Sequence, residues 1–348
     1  MARKGNVRCK AYPMLGPVLA PRCNFEVHID LLVALTGFIV GLIVGMTGMG
    51  GGALMTPILV LLFRVQPLAA VSSDLVASMF MKPIGSAIHW QRGTVKKELV
   101  GWLTLGSLPS AFAGVFIVRL LGNGIALQER LKVTLGVVLV VAAIAIVAKG
   151  YLQGRRLVAD PSSPRRDRAA PLKTNRAATV FVGIIGGLIV GMTSVGSGSL
   201  IIIALMLLYP LLGASELVGT DLVQAVPLVA SAAVAHVLFG DFKLGLTASI
   251  LVGGLPGVFI GAKFSSRAPD WIIRPILVFV LVASGLKLAN VPNTVLGLIM
   301  FGTVIVGLAI WGLNAYSPTT RRRPAAVELR DRPELQPELA DQQSNRDR

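Results

Sequence analysis

Long apolar runs alternate with short polar ones from Leu31 to Tyr316. Set against the ~20 residues that cross a bilayer, they predict eight to nine membrane segments. The candidates are Leu31 to Phe63, Leu68 to Trp90, Leu99 to Leu121, Leu131 to Ala148, Ala178 to Tyr209, Ala214 to Phe239, Leu244 to Phe264, Ile272 to Ala289 and Thr294 to Tyr316. The first and fifth are too long to be single straight helices, since each would extend roughly 50 Å against a ~30 Å hydrocarbon core. Both are predicted to be broken or re-entrant.

These two segments also share sequence. Gly41 to Gly52 reads GLIVGMTGMGGG and Gly187 to Gly198 reads GLIVGMTSVGSG. The likeness continues in order: Ser73-Asp74-Leu75-Val76 with Thr220-Asp221-Leu222-Val223, His89 with His236, Gly93 with Gly240, Pro109 with Pro256 and Gly114 with Gly261. A duplicated unit accounts for this. The predicted fold is an all-α polytopic membrane protein of two homologous helical repeats, with one extra C-terminal span. Its divisions are a polar N-terminal tail (1–30), a first membrane repeat (31–148), a basic cytoplasmic linker (149–177), a second repeat (178–289), a final helix (294–316) and a disordered charged tail (317–348).

Composition agrees. Only 14% of residues are charged and 54% are hydrophobic, whereas a soluble domain carries about 25% charged residues. The net charge of +16 is concentrated outside the apolar runs. Residues 1–30, 149–176 and 317–348 carry ten of the sixteen surplus charges. This is the pattern of the positive-inside rule, and it excludes a nucleic-acid-binding face with interleaved aromatics. The two cysteines, Cys9 and Cys23, and the three histidines argue against a disulfide framework or a rich metal site. No cofactor is expected, and no motif of hydrolytic or redox catalysis is present. Homo-oligomerisation stays open.

Charge also bears on topology. Arg92, Lys96 and Lys97 mark one cytoplasmic loop, and 149–176 marks another. If the long segments re-enter, the repeats are inverted and Lys263, Arg267, Arg274 and Arg321 to Arg323 fall inside, with the basic N-terminal tail outside. If the long segments span, the repeats are parallel. Inversion is preferred.

Each repeat opens with glycines four apart, Gly37, Gly41, Gly45 and Gly183, Gly187, Gly191, a spacing that lets a neighbouring helix approach closely. The glycine- and serine-rich stretch after each zipper cannot be a good helix interior. Unwound backbone at membrane depth belongs where it is buried or lines a wet cavity, and paired interruptions point to a transporter site. Candidate substrate-binding residues there are Thr47, Gly48, Gly50, Thr193, Ser194 and Ser197.

Ionisable residues inside spans are functional candidates by their cost. Asp74, Lys82 and His89 share one side of the second segment, with Ser73 beside them. The other repeat keeps Thr220, Asp221 and His236 but has Val229 in place of a lysine. One deep lysine favours a single small anion. Pairing with Asp74 or snorkelling is the structural alternative for Lys82, and helix capping the alternative for Asp221. His89 and His236 are candidates for proton handling or for hydrogen-bonded boundary positions.

The strings GLIVGMTGMGGGALMTPIL, SSDLVASMFMKPIGSAIHWQRGTV, GTDLVQAVPLVASAAVAHVLFGDFKLG and GGLPGVFIGAKFSS resemble the sulfite exporter TauE/SafE family, the TSUP permeases, over roughly Leu31 to Ala289. The resemblance implies an inner-membrane, multi-pass permease for small sulfur-containing anions such as sulfite, thiosulfate or organosulfonates. Ser72 stands where related members often have Gly, and Lys96 and Lys97 stand in a stretch where an acid is usual. The rival functions are transport of a cation or carboxylate through Asp74 and Asp221, or a membrane assembly factor that transports nothing.

Overall fold

A computed structural model describes residues 29–47, 51–120, 124–159, 174–264 and 270–303. Among them every regular element is a helix: α1 (Leu31–Thr47), α2 (Gly52–Leu61), α3 (Pro67–Gln91), α4 (Lys97–Leu120), α5 (Gly124–Ala159), α6 (Arg176–Thr193), α7 (Leu200–Leu208), α8 (Ala214–Phe239), α9 (Leu244–Phe264) and α10 (Asp270–Leu288). A short apolar helix, α11, covers Asn293–Thr303. The two tails, most of the final predicted span and residues 160–173 of the linker lie outside the described residues.

Five stretches are long and apolar enough to cross a membrane, those within α4, α5, α6, α8 and α9. The 25-residue α3 is long enough as well. Its polar side chains lower its hydropathy, and Ser72, Ser73, Asp74, Ser78, Lys82 and Ser86 are all buried. A helix that carries its polar groups inward needs partners to satisfy them; α8 packs along α3 and bonds Ser72 and Ser86, and α9 packs against α3 as well.

Glycines decide which helices touch. Gly37, Gly41 and Gly45 of α1 face the backbone at Ile250, Gly254 and Val258 of α9. Gly183, Gly187 and Gly191 of α6 face the backbone at Leu103, Ser107 and Ala111 of α4. Side chains at these positions would collide with main-chain atoms, so the glycines permit the contact. Residue numbers rise together in each pair, so both pairs are parallel. A further glycine crossing, Gly136 on Gly285, joins α5 to α10.

The hydrogen bonds fix the remaining directions. Ser72 bonds His236 at 2.8 Å and Ser86 donates to the Leu222 carbonyl at 2.9 Å, so α3 and α8 are antiparallel. Gln224 donates to Ser107, Ser231 donates to the Leu108 carbonyl, and Arg119 donates to the Phe239 carbonyl, so α4 and α8 are parallel. Thus α4, α6 and α8 run together. Because α9 follows α8 through a short turn at 240–243, α9, α1 and α3 run the opposite way.

The two interrupted segments fold back on themselves. At the start of α6, the Asn175 N–H donates to the Tyr209 hydroxyl at 3.1 Å, and Thr179 shares a hydrogen bond with that hydroxyl. The end of α7 therefore returns to where α6 began. In the first segment, Gly51 lies near Ser78 and Met81 of α3, and Thr56 bonds Asp74. That order makes α2 antiparallel to α3 and hence to α1. Each pair is a helical hairpin, and the two hairpins open at opposite ends of the bundle.

Candidate functional site

The hairpin tips meet in the interior. Helix α6 ends at Thr193, whose hydroxyl donates to the Ile189 carbonyl and accepts from the Val195 N–H. Ser194 then adopts a left-handed conformation (φ 59°), and Gly196 and Gly198 also have positive φ. Glycine is the residue that tolerates such angles. The turn places the Ser194 carbonyl directly against Gly52, the first residue of α2. Both α2 and α7 begin at this junction, so two helix N-termini bring their partial positive charge to it.

Three charged groups of α3 and α8 border the tips. Asp74 is fully buried; its Oδ2 accepts from the Thr56 hydroxyl at 3.1 Å and from the Ser194 hydroxyl at 2.6 Å, and its Oδ1 accepts nothing. Lys82 is the one buried lysine or arginine among the residues whose burial is described, and its Nζ donates to the Ser197 hydroxyl at 2.5 Å. Asp221 is buried, accepts from the Gly198 N–H, and keeps Oδ1 without a hydrogen bond. Lys82 lies within Coulombic range of both carboxylates, and Lys149 of α5 within range of Asp221.

The antiparallel pairing of α3 and α8 arranges these groups as a column. Ser86 is level with Leu222, so Asp221 lies toward the C-terminal end of α3 and Asp74 toward its N-terminal end. Lys82 stands between them, about 12 Å along the axis from Asp74 at 1.5 Å per residue. Two acids thus flank one base where the tips converge.

Other predicted positions have different surroundings. Thr47 ends α1, its hydroxyl donating to the Ile43 carbonyl. Gly48 and Gly50 lie outside the described residues. Ser73 is fully buried with its hydroxyl unpartnered. Thr220 accepts from the Lys96 N–H at 3.1 Å, tying α8 to the loop between α3 and α4 rather than to the tips. His236 is fully buried between Ser72 at Nδ1 and the Gly191 carbonyl at Nε2. A carbonyl only accepts, so Nε2 carries the proton and Nδ1 accepts from Ser72. This histidine joins α8, α3 and the end of α6. His89 is half-buried and bonds Thr94 at 3.1 Å.

Several participants escaped sequence reasoning. Thr56 sits in an apolar stretch with no motif of its own. Gln224 reaches Ser107 at 2.6 Å, and its Oε1 has no partner. The hydroxyls of Ser197 and Ser199 line a cavity of about 20 Å³ together with Thr47, Val44, Ala53, Leu54, Ile146, Leu277 and Leu281. It has room for about one water molecule.

Apolar helices that cross a membrane, a buried charge column and two interrupted segments meeting at it define a multi-pass membrane transporter. The chain belongs to the family described as "Sulfite exporter TauE/SafE", which matches residues 33–288. It is 40% identical over 257 residues to a Bacillus subtilis (strain 168) protein named "Probable membrane transporter protein YjnA", a match covering 74% of this chain and 98% of that protein. It is 25% identical over 260 residues to a second protein of that organism, "Probable membrane transporter protein YdhB", covering 74% and 99% respectively. No solved structure gives a significant match.

Proposed function

We propose that this transporter moves a small sulfur-containing oxyanion, with sulfite the first candidate and thiosulfate or an organosulfonate the alternatives. Lys82 carries this reading. Its ammonium is buried against Ser197 at the second tip, beside the N-terminal ends of α2 and α7. An anion arriving there meets one formal positive charge, hydroxyl donors and two helix N-termini.

The proposed architecture is a pair of inverted repeats. Residues 31–148 and 178–289 correspond helix for helix, α1 to α6 through α5 to α10. Corresponding helices run in opposite directions, and the α1–α9 contact has its counterpart in α6–α4. The hairpins would then re-enter from opposite membrane faces, with Lys97 over Trp90 and Arg176 over Trp102 marking the cytoplasmic boundary. Alternating access follows when one tip withdraws while the other stays seated.

A second reading, cation or carboxylate transport, rests on the unpartnered Oδ1 atoms of Asp74 and Asp221. Flux of sulfite into proteoliposomes separates the two. The anion reading expects uptake by the parent protein and its loss in Lys82→Ala. No sulfite uptake by the parent protein, beside uptake of a cation that vanishes in Asp74→Asn, overturns it.

A further inference from the structure

Asp74 joins elements from both ends of the chain at a single oxygen. Its Oδ2 receives the Thr56 hydroxyl from α2 and the Ser194 hydroxyl from the opposing tip. The first hairpin, α3 and the second hairpin are therefore held by one carboxylate. Its other oxygen is sealed from solvent and accepts no hydrogen bond, although a carboxylate oxygen has capacity for two. Bonds to an ionised carboxylate are roughly twice as strong as bonds between neutral groups. Whatever removes the charge of Asp74 loosens its hold on Ser194.

The charges around Asp74 make a proton the fitting ligand. On α3 itself Lys82 carries a positive charge; α8 contributes Asp221 and the doubly bonded His236; α5 contributes the half-buried Lys149 near Asp221. Helices α2 and α7 and the second tip carry no charged side chain, and α9 carries only Lys263 in its last turn. The buried set is thus two carboxylates against one ammonium, a net charge of −1. An entering oxyanion would raise the negative charge further in a medium where unpaired charge is costly.

We propose that Asp74 is a proton-carrying latch: a proton that reaches its unpartnered Oδ1 when the tips part neutralises the carboxylate, weakens its hold on the Ser194 hydroxyl so that the second hairpin tip stays released, and leaves with the substrate on the opposite side. The coupling to substrate rests on the oxyanion reading above. The latch itself does not.

The latch is tested first without substrate. In full-length protein carrying Cys9→Ser and Cys23→Ser, Ser199→Cys places a thiol in the buried second tip, and its alkylation rate reports release of the tip. Asp74→Asn keeps an oxygen acceptor but cannot ionise. At pH 8.5 the Asp74 protein should alkylate about tenfold more slowly than its Asp74→Asn counterpart, the ratio approaching one at pH 5. Taking the ratio cancels the pH dependence of the thiol. A ratio that stays constant across this range overturns the latch. If Asp74→Asn does not fold, Ser194→Ala takes its place, with the same expectation and the same overturning result.

Coupling is tested next in proteoliposomes holding a pH-sensitive dye. A sulfite gradient imposed on the parent protein should move protons in the same direction as sulfite. Sulfite flux with no proton movement overturns the coupling and leaves the oxyanion reading standing. Absence of sulfite flux, with the alkylation ratio still changing with pH, overturns the oxyanion reading and supports the latch.

Discussion

Gly52 and Ser194, 142 residues apart in sequence, touch through their main chains, with the Ser194 carbonyl occupying the space where a side chain at position 52 would begin. The two hairpin tips are therefore closed on each other by backbone. Their contact is set by the absence of one methyl group.

Adding that methyl should part the tips. Gly52→Ala is expected to destabilise the protein by about 1–3 kcal/mol, because a carbonyl has no rotamer with which to yield. Gly101→Ala is the matched comparison, since a Cβ there meets nothing within 4 Å and alanine is the better helix former by roughly 0.5–1 kcal/mol. Thermal unfolding in one detergent should lower the melting temperature of the first variant and hold or raise that of the second.

The zippers should be as intolerant as the tips. At Gly41 a Cβ would lie 2.6 Å from the Gly254 carbonyl, and at Gly187 it would meet the Ser107 carbonyl and the Ser110 hydroxyl. Gly41→Leu and Gly187→Leu are expected to separate α1 from α9 and α6 from α4. Loss of a monodisperse peak in size-exclusion chromatography would register this, and normal elution of both would mean that the glycine faces are dispensable.

Hairpins opening at opposite ends make a topological prediction. Leu62, after α2, and Leu211, after α7, are both strongly exposed. In a background lacking Cys9 and Cys23, Leu62→Cys and Leu211→Cys should react with a membrane-impermeant thiol reagent from opposite sides of the membrane, Leu211→Cys from the cytoplasmic one. Labelling of both from the same side would exclude inverted repeats.

His236 should matter for assembly. Replacing it with phenylalanine takes the donor from the Gly191 carbonyl and the acceptor from the Ser72 hydroxyl, which keeps only the Asp241 N–H at 3.4 Å. The expected cost is about 1–3 kcal/mol, measured as a lowered unfolding midpoint. Ser72→Ala removes one of the two bonds and should cost less.

Much of this arrangement was legible in the chain. The glycine and serine runs after each zipper marked the ends of α1 and α6, because no helix propensity survives GMGGG or SVGSGS. Asp74 and Lys82 stood out because ionisable residues in an apolar run need a reason. Their partners did not stand out. Thr56 and Ser194 are 18 and 120 residues from Asp74, and a hydroxyl that donates across such a separation has no signature of its own.

Lys82 illustrates the same limit. Pairing with Asp74 or snorkelling is the structural alternative that the sequence offers, and the hydrogen bond it could not indicate goes to Ser197, 115 residues on. The zippers showed which face of a helix was smooth but not what it would meet. Each is received by a helix of the other half, so sliding of one sequence half over the other would shear main chain against main chain. The end of α5 was hidden for another reason. The polar residues after Ala148 mark a membrane boundary, while Leu152, Gln153, Arg155 and Arg156 are good helix formers, and α5 continues to Ala159.

The exchange of helices between halves bears on how the protein is made. When synthesis reaches the linker, α1 and α4 are already made, with glycine faces that α9 and α6 cover in the folded protein. The first half is then a set of inserted segments awaiting partners, and α9 arrives among the last. Fragments cut at the linker should be unstable when produced singly and should reassemble when produced in the same cell.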